Sequence, residues 1–432
     1  MMSGSRYQRP LLGSFATSLA IQGLNVLTGV LLARQLGPHG RGVLAAILIW
    51  SGLLTMLGSL GVSDSVTYHA ARERRLGALV GTTTALCLVQ SIVLIVVGWF
   101  VLPIALHGYG PSTVHAARTY LAYVPLFLLN MYAMTILQGV GRFAAYQSVR
   151  FLQIALIAVA VAALSVLHGL TVHRVLAIYV GAYSVVLCVS VTQVLRHPLD
   201  RVHVDLALAR RLLGFAVRSH SSNVSAMFNE RLDQLLISVF LAPAQLGLYV
   251  VAVTFTSVST LIGLSVGIVA LPTVAAAQAA ARPFLVRRYL RLTAFSAAVL
   301  TLPLLVFAPQ IIRVFFGTAF SGATTACRIL LVAAVMLAVA RLLGVFLKAI
   351  GRPLDAGIAE FVALGVTVVL LVGLLPLLGI TGAAIASLAA YSVSAAWSFR
   401  RLCRATGLAF RDFISAANPL WKDAATPAGE TS

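Results

Sequence analysis

Polar and charged side chains interrupt the seventh long apolar stretch of the sequence. Glu230, Asp233 and Gln234 share one helical face there; Asn223 lies on the same face and Arg231 at its edge. An ionisable group in hydrocarbon costs roughly 2.5 to 3.5 kcal/mol, so such groups should face protein or water. The two carboxyl groups are candidates to bind a proton or a sodium ion, and Arg231 to contact an anion. A network that merely holds the helix in place is the alternative.

Other apolar stretches carry polar groups as well. Gln22 and Asn25 lie on one face of the first stretch and are further candidates for binding a polar ligand. Arg341 and Lys348 are seven residues apart and present two cations on one helical face. Glu360, on the next stretch, is predicted at a similar depth to Arg341, which indicates either a salt bridge or an anion and ion-coupling site. Histidine and cysteine spacings match no metal site, so neither a metal nor a cofactor is proposed.

The elements that must position these groups are membrane helices. Of the 432 residues, 60% are apolar and 10% charged, and the mean hydropathy is +0.98. A soluble enzyme carries about 25% charged residues, so an ordinary soluble fold and a disordered chain are both excluded. A bilayer core about 30 Å thick needs about 20 apolar residues per helix, and the sequence offers twelve such stretches.

The net charge of +20 is explained by the orientation of these helices. With both termini in the cytoplasm, most Lys and Arg residues fall in separate clusters on the inner side, as the positive-inside rule requires. Nucleic-acid binding would need one continuous basic face, so we expect no nucleic-acid partner. Lysine is scarce relative to arginine, which is typical of a GC-rich bacterial gene. We therefore predict a multi-pass protein of a bacterial cytoplasmic membrane.

An internal repeat defines the predicted architecture. At an offset of 205 residues Pro38 corresponds to Pro243 and Gly42 to Gly247. Six helices per repeat is an even number, so both copies enter the membrane in the same orientation. We predict an all-α polytopic membrane protein of about 12 transmembrane helices, in two six-helix lobes related by an internal parallel repeat. The predicted segments are an N-terminal lobe (1–198), an amphipathic cytoplasmic linker (199–214), a C-terminal lobe (215–405) and a cytoplasmic tail (406–432).

Four segments, in order along the chain, resemble a known family. The segment from Leu32 to Gly42 is similar to the ARxLGPxxxG element of polysaccharide flippases, in the multidrug/oligosaccharidyl-lipid/polysaccharide exporter superfamily. The other similar segments are Gln138 to Phe143, Arg231 to Leu236 followed by Leu246 to Tyr249, and Gly379 to Ala386. The resemblance covers nearly the whole chain, from about residue 10 to 405.

The resemblance implies a flippase rather than an enzyme. Such a protein moves a polyprenyl-pyrophosphate-linked oligosaccharide from the inner to the outer leaflet by alternating access. The resemblance also implies a cationic cavity for the head group, for which Arg231, Arg341 and Lys348 are the candidates, while the lipid tail stays among membrane lipids. A glycan polymerase or glycosyltransferases are compatible partners.

Several alternatives remain open at the level of sequence. A cation-coupled multidrug antiporter of the same superfamily has the same two-lobed frame but generally lacks the LGP turn. Lipid II flippases carry arginines within their first span and usually have fourteen spans, unlike this chain. A membrane glycosyltransferase or glycan polymerase usually has a long outer loop, which is missing here. A non-transporting scaffold of a glycan-assembly complex would leave the polar face around Glu230 and Asp233 unexplained.

Overall fold

The computed structural model describes residues 5–72, 76–167, 169–278 and 281–406, which form helices joined by short turns. In order, these helices are α1 (Ser5–Gly58), α2 (Val62–Ala70), α3 (Leu76–Ala105), α4 (Pro111–Tyr120), α5 (Tyr123–Gly139), α6 (Phe143–Val166), α7 (Val172–Leu195), α8 (Leu206–Phe240), α9 (Pro243–Ala276), α10 (Arg282–Ile311), α11 (Thr324–Ala349) and α12 (Pro353–Thr406). Short 3-10 helices at His107–Tyr109 and Thr318–Ala323 and a π-helix at Ile312–Phe316 lie in the connections.

Two of the helices are long enough to cross a membrane twice. α1 and α12 each have 54 residues, a length of roughly 80 Å at 1.5 Å per residue. Each is interrupted at one glycine with a positive φ, Gly37 (φ 64°, ψ 179°) and Gly379 (φ 54°, ψ −136°). Glycine adopts these angles without a Cβ clash. The interruptions lie where the sequence predicts the turns between spans one and two and between spans eleven and twelve.

Length and composition agree with a multi-pass membrane protein. Within the described part of the chain, eight helical segments are long and apolar enough to span a bilayer, and they include the double-length α1 and α12. α8 and α9 correspond to the predicted spans seven and eight. Many large apolar side chains on these helices are exposed, among them Phe100 and Ile104 of α3. Such side chains are stable in contact with hydrocarbon, which indicates a lipid-facing surface.

The chain forms two compact units. The first consists of Met1–Val251 with Phe315–Phe320, and the second of Ala252–Val314 with Ser321–Ser432. α8 and the first turns of α9 therefore belong with the N-terminal helices. The lobe boundaries inferred from the sequence repeat, 1–198 and 215–405, describe duplication and stay a prediction.

The second unit has its own apolar core. Leu343, Phe346 and Leu347 of α11 pack in one buried cluster with Ala356 and Leu402 of α12. At the edge of α12, Asp355 lies 3.7 Å from an Arg352 nitrogen and 3.6 Å from the Arg401 Nε. The pair with Arg401 joins the start of α12 to its last turns.

The linker between the predicted lobes is held against α3. Within the predicted amphipathic linker over 199–214, a helix begins at Leu206 and continues as α8. Asp205 caps it, because its Oδ1 accepts hydrogen bonds from the backbone N–H groups of Ala207 (2.8 Å) and Leu208 (3.1 Å). Both bonds lower the pKa of Asp205 below its usual value, and the bond from Leu208 has the largest effect. The Asp200 side chain accepts a 2.6 Å hydrogen bond from the backbone N–H of Gly77, in the first turn of α3.

Glycines let the linker backbone approach α3 closely, and this gives a stability prediction. A Cβ at Gly81 would lie 2.3 Å from the His203 carbonyl oxygen, nearer than atoms can pack. We expect Gly81→Ala to displace the linker and to lower stability by about 1 to 3 kcal/mol. The measurement is the apparent melting temperature in detergent, with Gly181→Ala as the control because nothing lies within 4 Å of that position. Equal melting temperatures for both variants would contradict the close packing.

Candidate functional site

The first unit encloses a cavity between α1, α8 and α9. Its volume is about 390 Å³, and most of its wall is one face of α1 after the break at Gly37. α8 closes the other side, and one residue comes from α9. The lining residues are Arg41, Ala45, Leu48, Ile49, Gly52, Leu53, Met56, Arg231, Gln234, Leu235 and Val250.

Two arginines give this cavity its electrostatic character. Arg41 and Arg231 come from different helices and line the same space. The Nε of Arg41 is buried and makes no hydrogen bond to any described part of the chain. A buried donor without a partner costs free energy, so the site is ready to bind an acceptor. None of the lining residues that the structure describes is acidic, and the cavity is therefore suited to an anion.

The predicted polar face of α8 divides between two environments. Arg231 and Gln234 line the cavity together with Leu235. Asp233 instead is buried and accepts a 2.5 Å hydrogen bond from the Tyr249 Oη of α9. Glu230 is exposed. Adjacent helix positions differ by about 100° in direction, so neighbouring polar residues such as Asp233 and Gln234 meet different partners.

A direct hydrogen bond joins the two main walls of the cavity. The Trp50 Nε1 donates to the Ser238 Oγ at 3.0 Å, and Ser238 is buried. The bond fixes α1 against α8 one turn from Gln234. It thereby sets the separation between the helix that carries Arg41 and the helix that carries Arg231.

The remaining predicted site residues are not among those lining the cavity. Gln22 is half-buried and Asn25 exposed in the first part of α1. The side chain of Asn223 lies outside the described part of the structure. In the second unit, Arg341 is half-buried and Lys348 exposed on α11, and Glu360 is half-buried on α12. Their roles stay predictions.

Arg41 is the site residue that reading the sequence missed. It lies in the segment from Leu32 to Gly42, just before the second predicted span. The informative signal was its position in the first turn after Gly37, at the start of an apolar helix, where a cation is costly unless it has a function. Its orientation toward Arg231 depends on how α1 packs against α8, and no local pattern encodes this.

A second cavity in the same unit has a different character. It measures about 300 Å³ and lies between α3, α5 and α7, with Thr83, Tyr132 and Val191 in its wall. None of its described lining residues is charged. The Thr83 Oγ1 donates to the Leu79 carbonyl oxygen, and the Tyr132 Oη donates to the Gln90 Oε1. These two hydroxyl groups are thus satisfied within the protein, and of these two cavities it is the first that offers charge to a ligand.

Comparisons with known proteins agree with this architecture. The family model described as polysaccharide biosynthesis protein matches residues 31–325. A structure of lipid II flippase MurJ in an inward closed conformation is similar over 93% of this chain and 89% of its own, with a TM-score of 0.78 at 14% identity. No curated protein matches the sequence.

Multidrug transporters have the same fold. An inward-facing MATE family transporter of the MOP superfamily aligns over 90% of this chain and 96% of its own, with a TM-score of 0.69 at 14% identity. The MATE transporter DinF-BH in complex with R6G aligns over 95% of this chain and 99% of its own, with a TM-score of 0.64 at 15% identity. The predicted fold class, a two-lobed bundle of about twelve membrane helices, is confirmed. The chain belongs to the polysaccharide biosynthesis protein family.

Proposed function

We propose that this protein is a flippase that moves a polyprenyl-pyrophosphate-linked oligosaccharide from the inner to the outer leaflet of a bacterial cytoplasmic membrane. The observation that carries the proposal is the cationic cavity of the first unit. Arg41 and Arg231 both line it, the Arg41 Nε is buried without a described partner, and no described lining residue is acidic. The family model supports a role in polysaccharide synthesis.

The chemistry of arginine suits a pyrophosphate. A guanidinium group donates up to five hydrogen bonds in a fixed fork and pairs with phosphate oxygens in a bidentate manner. The apolar remainder of the wall, such as Leu48 and Leu53, lowers the local dielectric constant and strengthens these contacts. A cavity of about 390 Å³ is at the small end of the range for ligand sites. We infer that it holds the pyrophosphate and the adjoining sugar, while the lipid tail stays in the bilayer.

Transport follows if the bound state is accessible from each side in turn. The binding energy of the head group offsets its loss of hydration, and the two accessible states exchange by alternating access. This role requires no covalent step, so we propose transport rather than catalysis. A glycan polymerase or glycosyltransferases would supply or consume such a substrate and are the expected partners.

A cation-coupled multidrug antiporter is the second candidate. The fold it shares with MATE structures favours it, but the cavity does not. A cationic drug would meet Arg41 and Arg231 without a described carboxylate in the lining. The nearest buried carboxylate, Asp233, already accepts a hydrogen bond from Tyr249. The scaffold alternative gives no role to an arginine whose Nε is buried without a partner.

The decisive experiment measures movement between leaflets in proteoliposomes. A fluorescent polyprenyl-pyrophosphate oligosaccharide is reconstituted with the purified protein, with and without an ion gradient, and a cationic dye serves as a parallel efflux substrate. We expect movement of the glycolipid above protein-free vesicles and no dye efflux. Dye efflux without glycolipid movement would favour the antiporter, and movement of neither would favour the scaffold.

A further inference from the structure

The two turns that correspond in the sequence repeat also touch each other in the structure. A Cβ built on Gly42 would lie 1.7 Å from the Pro243 carbonyl oxygen, and one built on Gly247 would lie 2.0 Å from the Pro38 carbonyl oxygen. The same Cβ positions lie 3.0 and 3.1 Å from the backbone nitrogen of the opposite glycine. The helix that follows Gly37 and helix α9 therefore meet backbone to backbone through their first turns.

The contact is reciprocal because both turns carry the same residues. Pro38 and Gly42 stand 205 residues before Pro243 and Gly247, so each proline carbonyl faces the glycine of the other copy. Glycine is the one residue that permits this approach, as it does where membrane helices cross closely. Such a contact consists of van der Waals and weak Cα–H···O interactions, without interlocked side chains. It can separate and reform without a change of rotamers.

This contact lies at one end of the cationic cavity. Arg41 immediately precedes Gly42, and Ala45 and Val250 lie about one turn beyond Gly42 and Gly247; all three line the cavity. In the predicted orientation, α1 reaches Gly37 from the cytoplasm and α8 reaches Leu241 from the cytoplasm, so the contact is at the outer end. Also in the first unit, the Arg34 Nε donates a 2.8 Å hydrogen bond to the Phe315 carbonyl oxygen. That bond joins the end of the first span to Phe315, which belongs to the same unit.

We propose that the Pro38–Gly42 and Pro243–Gly247 turns form the outer gate of the cavity, which is closed in this structure and must separate for the head group to leave. The identity of the substrate rests on the proposed function, whereas the contact between the two turns does not depend on it. Gly42 and Gly247 act as positioning residues, since their lack of a side chain allows the closed state. Any side chain at either position holds the two helices apart and shifts the population toward the state open to the outside.

The test reads accessibility directly. The native cysteines Cys87, Cys188, Cys327 and Cys403 are replaced, and Ile49→Cys in the cavity wall serves as the reporter. A membrane-impermeant maleimide is added to right-side-out vesicles. We expect Gly42→Ala and Gly247→Ala each to raise outside labelling of the reporter at least about fivefold, since 1 kcal/mol of bias is worth that factor. Gly181→Ala, in open space on α7, leaves labelling at the parental level.

A second measurement tests the gate even if the alanine variants fail to fold. His39→Cys and Ala244→Cys, at corresponding positions of the two turns, are joined with reducible cross-linkers of graded length. We expect the shortest effective cross-linker to stop glycolipid movement and to keep outside labelling of the reporter low. Reduction of the cross-linker should restore glycolipid movement. Unchanged labelling in folded Gly42→Ala and Gly247→Ala, or wild-type movement in the cross-linked protein, would overturn the gate. If labelling responds as expected but no glycolipid moves, the gate stands and the proposed substrate is wrong.

Discussion

Replacing both Arg41 and Arg231 by alanine is expected to reduce glycolipid movement by about two orders of magnitude. Each guanidinium group in the cavity would lose its hydrogen bonds to a charged phosphate, worth about 1.5 to 3 kcal/mol apiece. Each single substitution should therefore cost roughly tenfold or more, since 1.4 kcal/mol is a factor of ten. The measurement is the initial rate of movement in proteoliposomes at matched protein density.

The control variants distinguish the loss of charge or of hydrogen-bond geometry in the cavity from general misfolding. Arg231→Lys keeps the charge but lacks the bidentate fork, so we expect an intermediate rate. Arg118→Ala removes an exposed hydrogen bond to the Trp99 carbonyl oxygen, and Arg118 is not among the residues that line the cavity. It should leave the rate unchanged. A double variant of Arg41 and Arg231 that folds and transports at the wild-type rate would exclude both residues from the site.

Asp233→Asn is expected to remove the response of transport to an imposed ion gradient while leaving downhill movement measurable. Asp233 is buried and bonded to Tyr249, and a buried carboxyl group changes its energy greatly between charged and neutral forms. Tyr249 lies two residues beyond Gly247, so the hydrogen bond joins Asp233 to the first turns of α9. Among the described residues, Arg231 is the charged residue that acts electrostatically on this carboxyl group.

The comparison variants assign the coupling to one carboxyl group. Glu230→Gln and Glu360→Gln remove the other two candidate carboxylates, and we expect the gradient response to persist in both. Asp233→Ala should also lower stability by about 1 to 3 kcal/mol, because the buried hydrogen bond between the Tyr249 hydroxyl and Asp233 is removed. A full gradient response in Asp233→Asn would show that Asp233 does not couple transport to the ion.

The sequence was sufficient for the features that depend on the chain's own periodicity. Apolar stretches of membrane length predicted the membrane helices, while the duplication inferred from Pro38 and Pro243 stays a prediction. Arg231 and Gln234 stood out because a charged or amide side chain in an apolar helix is rare, and both line the cavity. These are properties of single segments, and they carry over to the folded state.

The features that depend on packing between helices were not predictable in this way. Arg41 is part of the site because α1, after its break at Gly37, packs against α8. Asp233 and Gln234 are adjacent in sequence, yet one faces Tyr249 and the other the cavity. The extended linker over 199–205 follows from Gly77 and Gly81, whose missing side chains matter only once the linker is placed on α3.

Photo-cross-linking from the cavity wall tests most directly whether the two arginines bind the head group. Benzoylphenylalanine at Leu53, which lines the cavity, is irradiated with a radiolabelled polyprenyl-pyrophosphate oligosaccharide, and the labelled protein is quantified with Arg41 and Arg231 present or both replaced by alanine. We predict strong capture in the parental protein, competition by unlabelled substrate, and loss of most capture in the double variant. Capture from Leu53 that is unaffected by removing both arginines would contradict binding of the pyrophosphate in this cavity.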